Sequence, residues 1–168
     1  MKKLVLFIGL FSFVFIQCKD AASSKSKKLD SQNAVVVSLS NPTKTDSQTP
    51  RLFSNTATLY MSWVTFKDDI DYLHYSSYTG DTWSTPEVIA WGDTWFTNWA
   101  DFPSIAQNTG SLLTSYLQKS DKAAYSYDVK LNYKNRDSPS WKKNFILHTD
   151  GTKTEHGFVS MIPANNQD

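Results

Sequence analysis

Apolar and polar residues alternate along most of the chain beyond residue 49. Runs with a period of two cover residues 58–64, 71–75, 111–117 and 124–133. These runs are rich in β-branched and aromatic residues, and Gly, Asn, Asp or Pro separates them, which is typical of strands joined by turns. The pattern therefore predicts an all-β domain over residues 49–168.

The N-terminal segment has a different pattern. Lys2 and Lys3 precede an apolar run over residues 4–16 that only Gly9 and Ser12 interrupt. The run is shorter than the roughly 20 apolar residues that a membrane-spanning helix needs. A basic start followed by a short apolar run predicts a secretory signal peptide over residues 1–17.

Cys18 is the only cysteine, so it cannot form an internal disulfide. Its position directly after the predicted signal peptide resembles the lipid-acceptor cysteine of bacterial lipoproteins, although Gln17 stands where those proteins usually have a small residue. The alternative is a secreted protein with an incidental cysteine. Residues 18–48 are mostly polar and lack aromatic side chains, which predicts a lipidated cysteine followed by a flexible tether.

The charge balance argues against one class of partner. The chain carries 17 Lys and Arg against 16 Asp and Glu, for a formal net charge of +1. A nucleic-acid-binding face usually needs a clear basic excess, so no nucleic-acid partner is predicted. No cofactor is predicted either.

Two parts of the domain match each other at an offset of 53 residues. The matched pairs are Pro50 and Pro103, Asn55 and Asn108, Leu59 and Leu112, Ser62 and Ser115, Trp63 and Tyr116, Asp68 and Asp121, and Tyr72 and Tyr125. After five extra residues in the second copy, Trp83 matches Trp141. Each copy predicts four antiparallel strands, which is one propeller blade, and chance alignment of short strands is the alternative.

Residues 158–163 resemble the start of the second copy and predict the first strand of a third blade. The prediction is thus two blades plus one strand. Because a propeller closes with typically 4–8 blades, the chain is expected to be a truncated product or to be completed by other copies.

A turn motif suggests a family. Residues 76–83, Ser-Ser-Tyr-Thr-Gly-Asp-Thr-Trp, resemble the Asp-box of sialidase-like (BNR repeat) propellers: Ser76, Gly80, Thr82 and Trp83 match, and Tyr78 replaces the Asp. In such a turn Gly takes a positive φ, side-chain oxygens bond the backbone, and the Trp packs between sheets. Residues 50–163 as a whole are similar to bacterial lipoproteins with a six-bladed exo-alpha-sialidase-like propeller.

The resemblance implies a catalytic set that this chain does not reproduce. The resemblance implies a site in which three arginines bind a sugar carboxylate. A Tyr with a Glu partner would be the nucleophile, and an Asp would be the acid/base. This chain has only Arg51 and Arg136. Asp101 stands where the family's Arg-Ile-Pro-Ser-Leu motif has its arginine. Intact sialidase catalysis is therefore not expected.

Two connections, residues 91–105 and 147–158, are expected at the ligand-binding end of a propeller. The candidate acid/base or hydroxyl-binding residues are Asp101, Asp150, Glu155 and His156. The candidate ligand contacts are Trp91, Trp95, Trp99 and His148. For each, the alternative is a structural role as turn cap, loop bond or interblade packing. The spacing matches no zinc signature, so no metal site is predicted.

These features predict a lipoprotein held at the bacterial cell envelope through Cys18, with a glycan as its possible ligand. It is expected to be related to glycan-processing enzymes without their full catalytic machinery. The alternatives are a non-catalytic module that binds a glycan or a protein, and a nonfunctional fragment.

Overall fold

The computed structural model describes residues 36–44 and 46–164. The predicted signal peptide, Cys18 and most of the predicted tether lie outside the described residues. Residues 39–164 belong to one compact unit, and residues 36–38, assigned to another, have no regular structure. All regular elements in the described ranges are strands, which confirms the all-β prediction, and these ranges hold no helix that could cross a membrane.

Nine strands form two antiparallel sheets. They are β1 (Ser47–Ser54), β2 (Leu59–Lys67), β3 (Ile70–Thr79), β4 (Thr82–Trp83), β5 (Glu87–Gly92), β6 (Ser104–Asn108), β7 (Ser111–Lys119), β8 (Tyr127–Lys134) and β9 (Trp141–Ile146). The first sheet has the order β1-β2-β3, and both β4 and β5 pair with β3. The second sheet has the order β6-β7-β8-β9. Each copy of the sequence repeat therefore forms one meander.

The turns use residues that tolerate a positive φ. Asp68 and Asp69, with φ of 53° and 62°, make the two-residue connection between β2 and β3, as expected for a type I′ hairpin. In the Asp-box-like turn, Gly80 has φ of 68° and the Ser76 hydroxyl donates to the Ser84 carbonyl at 2.7 Å. The positive φ and the bond from a side-chain oxygen to the backbone were both expected for this turn.

The strand register tests the repeat directly. Ser62 pairs with Arg51 on β1, and Ser115 pairs with Ser104 on β6, so the first two strands of each sheet keep the predicted offset. Tyr72, however, is equivalent to Asp128, because the residues with which they pair on β2 and β7 are themselves equivalent in the repeat. The predicted match of Tyr72 with Tyr125 is wrong because the turn before β8 is longer than the turn before β3.

The two sheets pack through a shared apolar core. Val64, Leu73 and Ile89 of the first sheet cluster with Ile105, Leu112 and Tyr116 of the second. A smaller cluster on the other face of the second sheet holds Leu117, Tyr127 and Val129, covered by Phe96 and Val159.

The two repeat tryptophans are equivalent in register but not in surroundings. Trp83 pairs with the end of β3, and Trp141 pairs with the end of β8. Trp141 packs into the core between the sheets, which is the packing that the turn motif predicted for Trp83. Trp83 instead packs on Tyr78 of its own sheet and donates its indole N–H to the Ser40 carbonyl at 2.7 Å.

The predicted first strand of a third blade is not formed. Residues 158–163 pair with no strand among the described residues. Val159 packs on the second core cluster, and Met161 and Pro163 lie beside Leu113 and Tyr133 of the second sheet. The segment covers this face of the second sheet, so it does not form the first strand of a new sheet.

Candidate functional site

The candidate site lies where the C-terminal segment, residues 147–163, runs beside the start of β8. The Tyr127 N–H donates to the Thr154 carbonyl at 3.1 Å, and the His156 N–H donates to the Tyr127 carbonyl at 3.1 Å. Tyr127 and Glu155 thereby form a parallel bridge. These bonds bring Asp150, Glu155, His148 and His156 to one end of the second sheet, in the neighbourhood of Asp101.

Glu155 is bound to a buried tyrosine. The Tyr127 hydroxyl donates to Glu155 Oε1 at 2.5 Å, and its ring stacks on Phe96 with centroids 4.4 Å apart. Tyr127 is only 1% exposed. Burial, followed by the hydrogen bond to Glu155 and the nearby carboxylates, raises the pKa of Tyr127 well above its usual range. A Tyr–Glu pair therefore exists, but its phenol is protonated and inaccessible to a substrate.

Asp101 is also occupied by a structural contact. Asn98 Oδ1 accepts from the backbone N–H groups of Ala100 and Asp101, at 2.9 and 2.8 Å, which fixes the loop before β6. The Asp101 carboxylate accepts a short hydrogen bond from the Phe158 N–H. Asp101 is 8% exposed, so it holds the C-terminal segment and does not face solvent as a free acid or base.

Asp150 joins two stacked histidines. Its Oδ1 lies 3.0 Å from His148 Nδ1 and its Oδ2 lies 3.1 Å from His156 Nε2, while the Thr152 hydroxyl donates to Oδ2 at 2.7 Å. The imidazole rings are 3.5 Å apart and nearly parallel. Hydrogen bonds from Thr152, His156 and His148 hold the pKa of Asp150 well below its usual range. The bond to Asp150 is the main cause that raises the pKa of His156.

A fourth residue of this cluster, Asp128, was missed by the sequence analysis. Its Oδ1 lies 3.5 Å from His148 Nε2 and 3.9 Å from His156 Nδ1. Within the described part of the chain, neither Asp128 Oδ1 nor His148 Nε2, both buried, has a hydrogen-bond partner. Asp128 lies on β8, 20 residues before His148, and only the pairing of β8 with the C-terminal segment brings them together. No local sequence signal reports that pairing.

The three candidate tryptophans separate into two kinds. Trp95 stacks on Tyr116 with centroids 4.0 Å apart and bridges to Gln118, so its role is packing. Trp91 and Trp99 are exposed, and Trp99 is 87% accessible. Of the three candidates, Trp91 and Trp99 therefore present exposed aromatic faces.

A pocket of about 190 Å³ opens beside the Trp99 loop. Arg51 of β1, Ala100, Asp101 and the exposed Phe158 contribute to its lining. Arg51 forms no ion pair within the described part of the chain. The sequence analysis noted Arg51 but did not select it, because its neighbours in space come from distant segments.

Comparison with known proteins gives no family. No protein-family model matches the chain, and no curated protein or solved structure matches it either. Membership of a sialidase-like lipoprotein family therefore stays a prediction that rests on the turn motif and the repeat.

Proposed function

We propose that this chain is a glycan-binding module of the bacterial cell envelope, built from propeller blades and without sialidase turnover. The envelope location follows from the predicted signal peptide and the predicted lipid on Cys18. The glycan ligand follows from the resemblance of the Asp-box-like turn and from the chemistry of the pocket at Arg51.

The blade interpretation is supported by an equivalence between the sheets. Tyr116 lies in the core at which the second sheet meets the first. Trp63 occupies the equivalent position on the first sheet, where it stacks on His74 at 5.5 Å and lines a pocket of about 490 Å³. The face of the first sheet that carries Trp63 points away from the second sheet and is equivalent to the face by which the second sheet contacts the first. Successive blades of a propeller stack in this way.

We favour binding over hydrolysis because the two best acid/base candidates already accept hydrogen bonds within the protein. Asp101 and Glu155 spend their carboxylates on Phe158 N–H and the Tyr127 hydroxyl. A general acid or base must reach the proton that it transfers, and a nucleophile must reach the sugar. Asp101 is buried and bonded to the Phe158 N–H, and Glu155, although exposed, is held by the Tyr127 hydroxyl, so neither carboxylate is free to act as acid, base or nucleophile.

The pocket at Arg51 has the groups that sugars need. Its guanidinium offers several donors to hydroxyl or carboxylate oxygens. Phe158 in the lining, and Trp99, which precedes Ala100 of the lining, offer exposed apolar faces on which the C–H face of a sugar ring can pack. A shallow site of this kind supports weak, reversible recognition.

Saturation-transfer NMR of the full chain with a panel of acidic and neutral oligosaccharides tests the proposal. We expect binding that Arg51→Ala or Trp99→Ala weakens about tenfold, equivalent to about 1.4 kcal/mol. Trp91→Ala, which removes an exposed indole from β5, is the matched control. A fluorogenic sialoside assayed in parallel should show no turnover, and turnover would contradict the proposal, as would the absence of binding to every glycan.

The location is tested separately. Cys18→Ser should move the chain from the membrane fraction to the soluble envelope fraction of an expressing bacterium. A wild-type chain that is recovered free of membrane would contradict the anchor but leave the glycan site in place.

A further inference from the structure

We propose that Asp128, His148 and His156 bind a Zn²⁺ ion, with Asp150 as the carboxylate that orients both imidazoles. The site goes beyond glycan binding and does not depend on it. It also departs from the sequence prediction of no metal, which rested on spacing along the chain.

The protons of the two histidines are assigned by Asp150. An ionised carboxylate can only accept hydrogen bonds, so the nitrogens that face it, His148 Nδ1 and His156 Nε2, are the donors. In a neutral imidazole the other nitrogen then carries a lone pair. Those lone pairs belong to His148 Nε2 and His156 Nδ1.

Both lone pairs face a third acceptor. Asp128 Oδ1 lies 3.5 Å from His148 Nε2 and 3.9 Å from His156 Nδ1, and Asp128 is 9% exposed. The Tyr127 carbonyl, another acceptor, lies 3.3 Å from His156 Nδ1. Asp128 Oδ1 and His148 Nε2 are buried acceptors that have no donor among the described residues, which is costly, and a cation between them removes that cost.

The spacing of the three ligand atoms suits a small transition-metal ion, and metal binding requires the parallel imidazoles, 3.5 Å apart, to turn so that each in-plane lone pair points at the ion. The three ligand atoms lie within 4.8 Å of one another. Bonds of 2.0–2.2 Å at tetrahedral angles separate neighbouring ligands by about 3.4 Å. The distances from Asp128 Oδ1 to the two histidine nitrogens, 3.5 and 3.9 Å, are close to this value. Two imidazoles and one carboxylate suit Zn²⁺ better than Ca²⁺ or Mg²⁺, which prefer oxygen ligands.

The surroundings of the cluster match those of known zinc sites. A carboxylate that accepts the second N–H of a ligating histidine fixes the ring and makes the ligand more basic. Asp150 does this for both rings at once, and Thr152 fixes Asp150 in turn. With two neutral histidines, the charges of Asp128 and Asp150 balance one divalent ion.

The test uses the full chain, purified in detergent and stripped with a chelator. Calorimetric titration with ZnCl₂ should give one ion per chain, and thermal unfolding should shift upwards by about 5 °C or more at saturating metal. Co²⁺ should give the intense visible bands of a tetrahedral site, with an X-ray absorption shell of nitrogen and oxygen only. A sulfur ligand would point to Cys18 and overturn the assignment.

Variants separate ligands from bystanders. Asp128→Asn and His148→Gln should abolish the single high-affinity site, and Asp150→Asn should weaken it about 10- to 100-fold. His74→Gln, which changes the one histidine outside the cluster, should leave it intact. Stripped wild-type chain that takes up neither Zn²⁺ nor Co²⁺ overturns the proposal, whatever the variants do, and would mean that a shared proton holds the cluster.

Discussion

The indole of Trp141 meets the ring of Tyr75 edge-on, with centroids 5.6 Å apart and planes at 80°. Trp141 comes from the second sheet and Tyr75 from the first. Around this contact, the Trp141 N–H donates to Glu87 Oε1 at 2.8 Å, and Lys134 Nζ donates to Glu87 Oε2 at 2.8 Å and to the Tyr75 hydroxyl at 3.2 Å. One aromatic pair and one ion pair therefore join the two sheets at the same place.

Replacement of Trp141 by Ala should destabilise the domain strongly. Deleting a large aromatic side chain from a core typically costs 3–5 kcal/mol, and we expect roughly 3 kcal/mol here because the indole is partly accessible. Trp83→Ala is the matched control, since Trp83 is equivalent in register but packs on Tyr78 of its own sheet and donates to Ser40. It should cost about 1 kcal/mol. Urea unfolding measures both, and equal losses would show that Trp141 does not join the sheets.

The Glu87–Lys134 pair should make stability depend on pH at both ends. Burial favours the neutral form of Glu87, but hydrogen bonds from Lys134, Tyr75 and Trp141 outweigh it and lower its pKa. Burial likewise opposes the charge on Lys134, and its bonds to Glu87 and Tyr75 outweigh that and raise its pKa.

The lowered pKa of Glu87 and the raised pKa of Lys134 determine how each group's contribution to stability changes with pH. The stability due to Glu87 is present above its unfolded pKa of about 4.5 and is lost as pH falls through the lower folded value. The stability due to Lys134 is present below about 10.5 and is lost as pH rises through the higher folded value. Glu87→Gln should therefore cost about 1 kcal/mol at pH 7, a modest value because the Glu87 side chain is 40% exposed and solvent screens it.

Urea unfolding at pH 7, 5 and 3 checks this. The difference between wild type and Glu87→Gln should shrink towards zero at pH 3, whereas the exposed Asp81→Asn should differ little from wild type at every pH. A gap that stays constant with pH would mean that Glu87 acts by packing and not by charge.

Local features of the fold were predictable from the sequence. Strands show a period of two, and turns need particular residues, so the hairpin at Asp68 and the positive φ at Gly80 follow from short stretches. The equivalence of Trp83 with Trp141 was also predictable, because it rests on two such stretches read in parallel.

The site was only half predictable, since its contacts are not local. His148, Asp150 and His156 were selected because they crowd into one short segment. Asp128 was missed because a strand residue gives no sign of what a distant segment lays against it. The prediction of a third-blade strand was wrong for the same reason. Val159 has strand-like neighbours in sequence, but it packs against the apolar cluster on the second sheet.

The candidate ligand tryptophans should divide cleanly between stability and binding. Trp95 stacks on Tyr116, and the residues on either side of it pair with β7. The Phe96 N–H donates to Leu117 O, and the Lys119 N–H donates to Thr94 O. Trp95→Ala should cost roughly 3 kcal/mol. Trp99→Ala should stay within about 0.5 kcal/mol, because nearly all of its side chain is exposed. Thermal unfolding would contradict this division if Trp99→Ala were the more damaging change.

The closure of the C-terminal segment should depend on the absence of a side chain at residue 157. A Cβ on Gly157 would collide with Asp101 Oδ2 and lie 3.2 Å from Tyr127 Cε2. Gly157→Ala must therefore displace the carboxylate that accepts from the Phe158 N–H. We expect a loss of about 1–3 kcal/mol and faster hydrogen exchange at the Phe158 amide.

A double-mutant cycle isolates this collision. In an Asp101→Ala background the carboxylate is gone, so Gly157→Ala should cost much less than it does in wild type, and the two changes should be clearly non-additive. Gly151→Ala is the matched control, because no atom of the described residues lies within 4 Å of its Cβ position and the opposition to a side chain comes from its φ of 69°. It should cost about 1 kcal/mol through backbone strain and leave the Phe158 amide protected. Additive costs for Gly157→Ala and Asp101→Ala would show that the two residues do not meet, and that the segment is held by the Tyr127–Glu155 bond instead.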